Sequence, residues 1–539
     1  MDTMTTESPV LPLIRFPFQD VPQFSSRDLA YVAGDSSLTE FFEYATDLDA
    51  FEAIIKAKQG SYTSRKITSE YIKTQYEESE VSEALQQNLN FLHQENTFTI
   101  VTGHQPSLAT GPLYFIYKIA SVIRLCRQLS ERYPAFNFVP IYWLGSEDHD
   151  FEEINHFNLF GQTFVWEQDQ KGPVGKLSTE GIRELFPTLF EKLGDRPNAE
   201  KLKALLRNSY GSHEQLDGAT FQLVHDLFQK HGLVIIQAND PVLKRAFIPF
   251  LERELFDQAS FPLVNQTIQE LEAKGFKAQA SPREINLFYM KPGLRERIVK
   301  KGAQFEVLNS DIRFSESELK EELHQHPERF SPNVIMRPLY QEFLLPNLAY
   351  VGGGGEIAYW LERKRQFEHF GIPFPMLVRR ASALFIDKGS SKKIDKLGLQ
   401  LKNIFQEEEA LIKAYVKERS DSDFQFGQAI ASILRGFSEM AAEADKVDPT
   451  LIKTVKAEEA KALKSIEQIK GRLIKAEKRN QETAVNQIRS LKDKLFPGKG
   501  LQERKDNFIS IYLKHGQGFI DQLVDTLDPL EKVVYIFRE

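Results

Sequence analysis

The densest group of ionisable side chains in the sequence is Ser146-Glu147-Asp148-His149-Asp150. Three carboxylates and an imidazole this close together could hold a divalent metal, bind a substrate ammonium group or take up a proton as a general base. The group directly follows the apolar residues 142–144, so it stands at the end of a predicted buried strand. That position is unusual for a solvated acidic turn. We therefore favour a functional role for this group, and the sequence leaves the three chemistries open.

A second candidate is the stretch 103–112, GHQPSLATGP, which follows another apolar run and precedes a predicted helix. Backbone N–H groups that are free at the start of a helix suit a phosphate or a carboxylate. His104 could donate a hydrogen bond to a phosphoryl group as charge develops on it. The same residues would also form an ordinary structural turn, and the chain has no Walker motif. The candidate binding residues in this stretch are Gly103, Gln105, Thr110 and Gly111.

Two further groups bring donors that suit an anionic ligand. Four consecutive glycines at 352–355 precede a glutamate, and no side chain there keeps a ligand away from the backbone. Two arginines, at 337 and 380, could each clamp a carboxylate or phosphate through paired hydrogen bonds. A flexible turn and surface arginines are the alternative interpretations. The candidates from these groups are Arg337, Gly353, Gly354, Glu356 and Arg380.

The elements that must position these residues are predicted by hydrophobic patterning. Residues 98–102 and 138–144 read as short buried strands, and 113–129 between them as a helix. A crossover of this length predicts a parallel βαβ unit, in which ligands bind beyond the carboxyl ends of the strands. Further buried strands are predicted at 232–238, 348–351 and 373–378. The sequence therefore predicts an α/β fold with a Rossmann-like parallel-sheet core.

The composition changes from Lys392, where apolar residues recur every three or four positions. A helix is predicted from 448 to about 496, with a shift in its apolar spacing between Ala476 and Ala484 that indicates a stutter. A helix this long predicts an antiparallel α-helical coiled-coil domain. Its apolar seam is longer than the two preceding helices can cover. We therefore predict a homodimer through residues 392–495, with the contact near Ile466, Ile469 and Leu473.

These patterns divide the chain into three parts. The predicted core spans 1–390 and carries insertions near 160–220 and 285–330, where charged residues interrupt the strand and helix pattern. The coiled-coil domain spans 391–505. The C-terminal segment, 506–539, has an apolar strand-like end and is expected to return to the core.

Charge and cysteine content exclude several classes of function. The net charge of −8 provides no basic excess to bind nucleic acid non-specifically. Cys126 is the single cysteine, so neither an internal disulfide nor a thiolate metal cluster is available, and a cytoplasmic location fits. The start of the chain does not resemble a secretory signal, and no window approaches the ~18 consecutive apolar residues of a membrane span. We expect no membrane association.

Five long segments that contain the candidate residues resemble the BshC family of bacillithiol biosynthesis, whose assigned activity is a cysteine ligase. The resemblance covers essentially the whole chain and is carried by residues 101–118, 141–156, 331–360, 373–380 and 495–507. It implies a Rossmann-like core with connecting insertions, a helical coiled-coil domain and a homodimer. The implied reaction joins L-cysteine to the amino group of glucosaminyl malate.

The resemblance also implies roles for the candidates. The core is similar to class I nucleotidyl-transferring enzymes such as cysteinyl-tRNA synthetase, so residues 103–111 would hold ATP or another nucleotide, or the activated carboxylate. Asp148 and His149 would orient the substrate amine or take its proton. His104 is a third candidate catalytic residue, and Glu147 is a candidate binding residue. Gly353, Gly354 and Glu356 would close the opposite wall, and the two arginines would read the malate carboxylates. The relatives' zinc site uses cysteine ligands, which this chain cannot copy, so no metal ligand is assigned.

Two other functions remain compatible with the sequence. The long arm also suits a non-catalytic binding or scaffold protein. The core also suits a nucleotidyltransferase that acts on another small amine.

Overall fold

The computed structural model describes residues 10–60, 62, 64–419 and 426–539, with the side chain of residue 480 excluded. The chain forms two compact units. One consists of Met1–Phe385 with Leu501–Arg538, and the other of Ile386–Gly500 with Glu539. Within the described ranges, no helix is both long enough and apolar enough to cross a membrane.

Fifteen strands lie in the described residues: β1 Leu13–Pro17, β2 Thr97–His104, β3 Asn137–Leu144, β4 His156–Leu159, β5 Gln162–Val165, β6 Val234–Ile236, β7 Leu287–Lys291, β8 Leu294–Lys301, β9 Gln304–Val307, β10 Arg313–Ser315, β11 Phe330–Pro332, β12 Asn347–Gly352, β13 Met376–Arg379, β14 Ser382–Ile386 and β15 Val533–Arg538.

Twenty-four α-helices lie in the same ranges: α1 Ser26–Ala33, α2 Phe51–Lys58, α3 Arg65–Thr74, α4 Glu83–Phe91, α5 Tyr114–Arg132, α6 Phe151–Ile154, α7 Glu180–Arg183, α8 Phe186–Leu193, α9 Pro197–Leu206, α10 Leu216–Phe228, α11 Pro241–Phe256, α12 Ser260–Ala273, α13 Glu316–Gln325, α14 Arg337–Leu344, α15 Gly354–Leu361, α16 Lys364–Phe370, α17 Lys388–Leu397, α18 Leu401–Ile404, α19 Glu408–Glu418, α20 Gly427–Val447, α21 Ile452–Asn480, α22 Glu482–Leu495, α23 Ile509–His515 and α24 Gln517–Thr526.

The core of the first unit is a five-stranded sheet in the order β13-β12-β2-β3-β6. Every neighbouring pair is parallel, which confirms the predicted Rossmann-like sheet. β2 and β3 are buried along nearly their whole length, because helices cover both faces of a parallel sheet. Their register pairs His104 with Leu144. The loops that follow the two strands therefore begin at the same level of the carboxyl edge.

A second sheet is built by the charged insertion predicted near 285–330. Its order is β10-β9-β8-β7-β11, and its strands are antiparallel. The β7–β8 hairpin turns through Pro292 and Gly293, the latter with φ of +74°. Glycine adopts this conformation without steric cost, which explains the tight two-residue turn.

Two strands that lie near the limits of the described chain pair in a third sheet of the first unit. β1 pairs with β15 in antiparallel register, from Leu13 opposite Phe537 to Pro17 opposite Val533. The apolar residues of β15 are buried, as expected for a strand between two neighbours in the order β1-β15-β14.

The second unit is helical, which confirms the predicted coiled-coil fold. α20 packs against α21 across a 3₁₀ turn at Pro449–Leu451. The single helix predicted over 448–496 is wrong in one respect, because it is interrupted at Gln481, whose φ and ψ of −103° and 24° are not helical. The interruption lies where the apolar spacing shifts. Along α21, Ile469 is 54% exposed and Leu473 is 41% exposed.

Candidate active site

A cleft of about 700 Å³ lies at the carboxyl edge of the parallel sheet, where ligands bind in folds of this type. It is bounded by the ends of β2, β3 and β12 and by β7 and β8 of the insertion sheet. Eleven of the thirteen predicted site residues line it: Gly103, His104, Gln105, Glu147, Asp148, His149, Arg337, Gly353, Gly354, Glu356 and Arg380.

Thr110 and Gly111 are the two predicted residues that do not line the cleft. Both are buried, and both have positive φ, of 66° and 64°. Their N–H groups donate to the carbonyls of Ser107 and Leu108. These two residues therefore shape the turn before α5, and their backbone N–H groups are already used within the protein.

His104 is held by hydrogen bonds at both ring nitrogens. Nδ1 lies 2.9 Å from the carbonyl of Gln105, and Nε2 lies 3.2 Å from the hydroxyl of Tyr114. A carbonyl only accepts, so Nδ1 carries the proton and Nε2 accepts from the tyrosine. Burial and the charge of Lys118 lower the pKa of His104 to about 4. The imidazole is therefore neutral at physiological pH and fixed in one tautomer.

Asp148 provides a permanent negative charge in the cleft. Its Oδ2 accepts from Gln105 Nε2 at 2.8 Å, and its Oδ1 accepts from the backbone N–H of His149 at 2.9 Å. Burial alone would raise the pKa of this carboxyl, but the interactions with His149 and the charge of Arg295 outweigh it and hold the pKa at about 2. The carboxylate is thus suited to bind an ammonium group rather than to take up a proton.

His149 is oriented by an arginine from the insertion sheet. Arg295 Nη1 lies 2.5 Å from His149 Nδ1, and since arginine only donates, Nδ1 is the acceptor. In the neutral ring the proton is therefore on Nε2. The side chain is 51% exposed. His149 in this tautomer presents a hydrogen-bond donor to the cleft.

Glu147 is committed to contacts within the protein. Its Oε1 lies 2.7 Å from Nζ of the fully buried Lys244, and its Oε2 accepts from Ser331 Oγ at 3.2 Å. Lys244 also donates to the carbonyl of Phe330 at 2.8 Å. These contacts tie the acidic loop after β3 to β11, which fixes the position of the loop.

Lys118 is a central residue of the site that the sequence did not single out. Its Nζ donates to the carbonyl of Gly103 and, at 2.9 Å, to Glu356. Glu356 also accepts from the Tyr350 hydroxyl at 2.7 Å and the Gly353 N–H at 2.8 Å. Burial opposes ionisation of Glu356, but Lys118 and the Gly353 N–H hold its pKa at about 2. The feature of the sequence that could have identified Lys118 is a lysine among the apolar residues that open α5.

The glycines before and within α15 have different functions. A Cβ at Gly354 would lie 2.4 Å from Asp28 Oδ2, so this glycine is required for packing. Asp28 in turn pairs with Arg379 at 3.0 Å. A Cβ at Gly355 would meet no atom within 4 Å, although this residue lines the cleft. The backbone at Gly355 is therefore open to a ligand.

The two predicted arginines are held by neighbours while facing the cleft. Arg380 Nη2 donates to Glu503 at 2.6 Å, but its buried Nε has no hydrogen-bond partner among the described residues. That Nε lies 3.8 Å from the position of a Cβ at Gly353. Arg337 donates to Gln341 at 2.9 Å and to the Tyr359 hydroxyl at 3.3 Å. Arg380 therefore retains a donor directed towards the glycine turn.

The charge balance of the cleft favours anionic ligands. Seven lysine or arginine side chains and four carboxylates line it, so cations are in excess.

Among the carboxylates, Glu153 differs from Asp148 and Glu356, because burial and the charges of Asp150 and Asp148 raise its pKa. No group of three or more metal-ligating side chains occurs within the part of the chain that the structure describes. The cationic lining that the sequence missed is Lys118, Arg283, Arg295, Arg297 and Arg504.

The chain matches known protein families over nearly its whole length. Residues 18–381 match the family model "Bacillithiol biosynthesis BshC, N-terminal Rossmann-like domain", and residues 383–539 match "Bacillithiol biosynthesis BshC, C-terminal coiled-coil domain".

Three similar curated relatives come from Christiangramia forsetii, Flavobacterium johnsoniae and Cytophaga hutchinsonii. They are 41%, 43% and 38% identical to this chain, over 97%, 95% and 95% of it. The alignments cover 99%, 97% and 96% of the relatives themselves. All three are provisionally named cysteine ligase BshC.

Proposed function

Because the chain belongs to the BshC family of bacillithiol-biosynthesis proteins, we propose that it is a ligase that joins L-cysteine to the amino group of glucosaminyl malate. The reaction forms an amide and would be the last step of bacillithiol biosynthesis. The reaction class is supported by relatives named cysteine ligase that align over nearly the whole chain. The choice of substrates rests on the family and on the chemistry of the cleft.

The observation that carries the proposal is an ionised carboxylate and an open glycine turn in one cleft. Amide formation joins the carboxyl carbon of cysteine to the amine nitrogen of the acceptor. One carboxylate oxygen leaves with an activating group, and the nitrogen loses a proton. The site must therefore hold an anion, bind an amine and stabilise negative charge on the carbonyl oxygen. The cleft has groups suited to each task.

An anionic nucleotide fits the turn at residues 353–355. The backbone at Gly355 is open, and the buried Nε of Arg380 faces the same turn without a partner among the described residues. N–H groups at a helix start and a guanidinium are the usual ligands of phosphate. ATP or another nucleotide bound there would supply the activating group. The role of this chain is to hold its phosphates and the cysteine carboxylate in place.

The acceptor amine would bind at Asp148. The pKa of about 2 keeps this carboxylate ionised, so it attracts the ammonium form and orients the nitrogen. A group with so low a pKa is a poor proton acceptor near neutral pH. Glu153, whose pKa is raised by burial and by neighbouring carboxylates, is the better candidate to receive the proton. His149 would donate from Nε2 to the negative charge that develops on the carbonyl oxygen.

The test is product formation by the purified protein. With L-cysteine, glucosaminyl malate and ATP, the parent should form the amide, which mass spectrometry detects. Asp148→Asn should lower kcat/KM by at least about tenfold, since it removes the charge that binds the amine. Glu152→Gln is the matched control, because Glu152 is an exposed carboxylate near the same loop that does not line the cleft. A parent that forms no amide contradicts the ligase, and an unimpaired Asp148→Asn contradicts the role of Asp148.

We further propose that the protein is a homodimer through the second unit. Exposed apolar side chains on both long helices support this: Leu434 and Met440 on α20, and Ile469 and Leu473 on α21. A two-fold pair would cover the same patch on each subunit.

A cytoplasmic location is also proposed. Cys126, the single cysteine, is a buried free thiol, and burial raises its pKa well above the usual range. A protein without disulfides fits a reducing compartment.

A further inference from the structure

The insertion sheet places one face of a strand pair against the cleft. β7 and β8 pair so that Phe288 lies opposite Arg297. Arg295 is two residues before Arg297 on β8, so the two side chains point to the same face. All three residues line the cleft. This wall comes from a segment more than 130 residues beyond the acidic loop after β3, which it faces.

Arg295 is the fixed member of this wall. It is 8% exposed, and its guanidinium lies 3.9 Å from the centre of the Phe288 ring. Its Nη2 donates to Ser331 Oγ at 3.2 Å, and its Nη1 contacts His149. With these contacts the guanidinium is held in one orientation before any ligand arrives.

Arg297 is the residue of this wall whose side chain is available to bind a ligand. It is half-buried, and no side-chain hydrogen bond or ion pair joins it to another described residue. The nearby carboxylates are already paired with other cations, Asp148 with Arg295 at 3.9 Å and Glu147 with Lys244 at 2.7 Å. The guanidinium of Arg297 therefore leaves a positive charge on this strand face that a ligand can neutralise.

Asp148 beside this wall narrows the class of ligand. An ionised carboxylate 3.9 Å from Arg295, in a cleft that Arg297 also lines, matches a molecule that carries an amine at one end and carboxylates at the other. The open turn at 353–355 follows β12 of the parallel sheet and belongs to a different wall. The anionic end that meets Arg297 is thus distinct from the group bound at that turn.

We propose that Arg297, supported by Arg295, binds the carboxylates of the amine-bearing substrate and thereby selects an acidic amino sugar. This inference rests on the proposed function and refines it, because it moves recognition of the malyl carboxylates from Arg337 and Arg380 to the insertion sheet. Arg380 is already paired with Glu503 and faces the glycine turn.

Calorimetric binding of glucosaminyl malate and of its dimethyl ester tests the inference directly. The ester keeps the sugar, the amine and the carbon skeleton but lacks the two charges. Arg297→Ala should weaken binding of the diacid about tenfold to a hundredfold, the usual effect of losing charge-assisted hydrogen bonds. The parent should bind the ester with a similar loss. Arg297→Ala should then bind the ester no worse than the parent does, because both changes remove the same interaction.

The controls separate this inference from the ligase itself. Lys301→Ala removes a charge on the same strand face, from a residue that is paired with Glu306 and lies outside the cleft, and should bind the diacid normally. Arg297→Lys should recover part of the affinity. KM values for ATP and cysteine should not change in Arg297→Ala, and a rise confined to either would assign Arg297 to that ligand and overturn the inference. The inference would also be overturned if the losses of affinity from Arg297→Ala and from esterification added up when combined. It would equally be overturned if the parent did not bind the diacid. Absence of product despite diacid binding would overturn the ligase alone.

Discussion

Replacing Lys118 with methionine should destabilise the first unit, because it leaves Glu356 as an unpaired, largely buried charge. Lys118 is 3% exposed at its side chain and Glu356 is 26% exposed, and their charged atoms are 2.9 Å apart. Methionine keeps the length of the side chain but removes both the charge and the donor to the Gly103 carbonyl. The end of β2 and the start of α15 would lose their shared contact.

The magnitude follows from the ionisation of Glu356. The difference between its usual pKa of 4.5 and about 2 corresponds to ~3 kcal/mol of interaction with its surroundings. Lys118 is the largest favourable contributor to that difference. Breaking one side of a buried ion pair costs about 3–5 kcal/mol, which agrees in size. We expect Lys118→Met to lower the free energy of unfolding by about 3 kcal/mol at pH 7.

The effect should depend on pH in a defined direction. A carboxyl whose pKa is depressed in the folded state contributes stability above its unfolded pKa near 4.5 and loses it as the pH falls towards 2. The variant lacks most of this contribution at every pH. The difference between parent and variant should therefore be full at pH 7 and about 1–2 kcal/mol smaller at pH 3.5.

Urea unfolding followed by tryptophan fluorescence is the appropriate assay. The three tryptophans, Trp143, Trp166 and Trp360, all belong to the first unit, so the signal excludes unfolding of the helical unit. Lys66→Met is the control, since Lys66 is 86% exposed and its ion pair with Glu70 is long, at 3.9 Å. The variant Lys118→Met/Glu356→Gln should recover part of the loss. A Lys118→Met difference below ~1 kcal/mol at pH 7, or strictly additive single losses, would refute the reasoning.

Three further predictions concern ligand binding, pH and assembly. Gly355→Ala should raise the KM for ATP at least about tenfold without loss of thermal stability, since alanine favours a helix. Gly436→Ala on α20 is the control, because its Cβ position also has open space around it, and it should leave the KM unchanged. Equal KM values for the two variants would contradict nucleotide binding at the turn. Asp148→Asn should lower kcat/KM and shift the acidic limb of its pH profile to lower pH, because Asp148 no longer raises the pKa of Glu153. Asp148 itself, with a pKa of about 2, does not titrate near neutral pH, so an unshifted limb would contradict Glu153 as the proton acceptor. Changing Ile466, Ile469 and Leu473 together to glutamate should give a monomer by light scattering, and a parent that is already monomeric at micromolar concentration would disprove the dimer.

The parallel sheet could be predicted from the sequence because its signal is local. The apolar runs at 98–102 and 138–144 are short, rich in β-forming residues and separated by a helix-length segment. A strand buried on both faces must be apolar throughout, and a parallel pair needs a long crossover. The acidic loop after β3 and the glycine run after β12 follow directly from where those strands end. The helical arm was equally visible, since its periodicity is contained within the arm.

What the side chains do at the site was decided by tertiary structure. Thr110 and Gly111 suited an anion in the sequence, but their N–H groups are used inside the turn. Glu147 stood in the acidic group, yet it pairs with Lys244 from a helix almost 100 residues away. Such contacts depend on the three-dimensional approach of distant elements, which local patterning does not encode.

Lys118 and Arg295 are the opposite case, because the structure places in the cleft two residues that the sequence did not single out. Lys118 stood in an apolar helix and Arg295 in a charged insertion, and both positions read as ordinary in the sequence. Folding brings Lys118 to Glu356, 238 residues later, and Arg295 to His149, 146 residues earlier. The sequence by itself determined which edge of the sheet carries the candidate site. Only the tertiary structure decided which charges face one another there, because a pKa, a tautomer and a free donor depend on the partners that folding supplies.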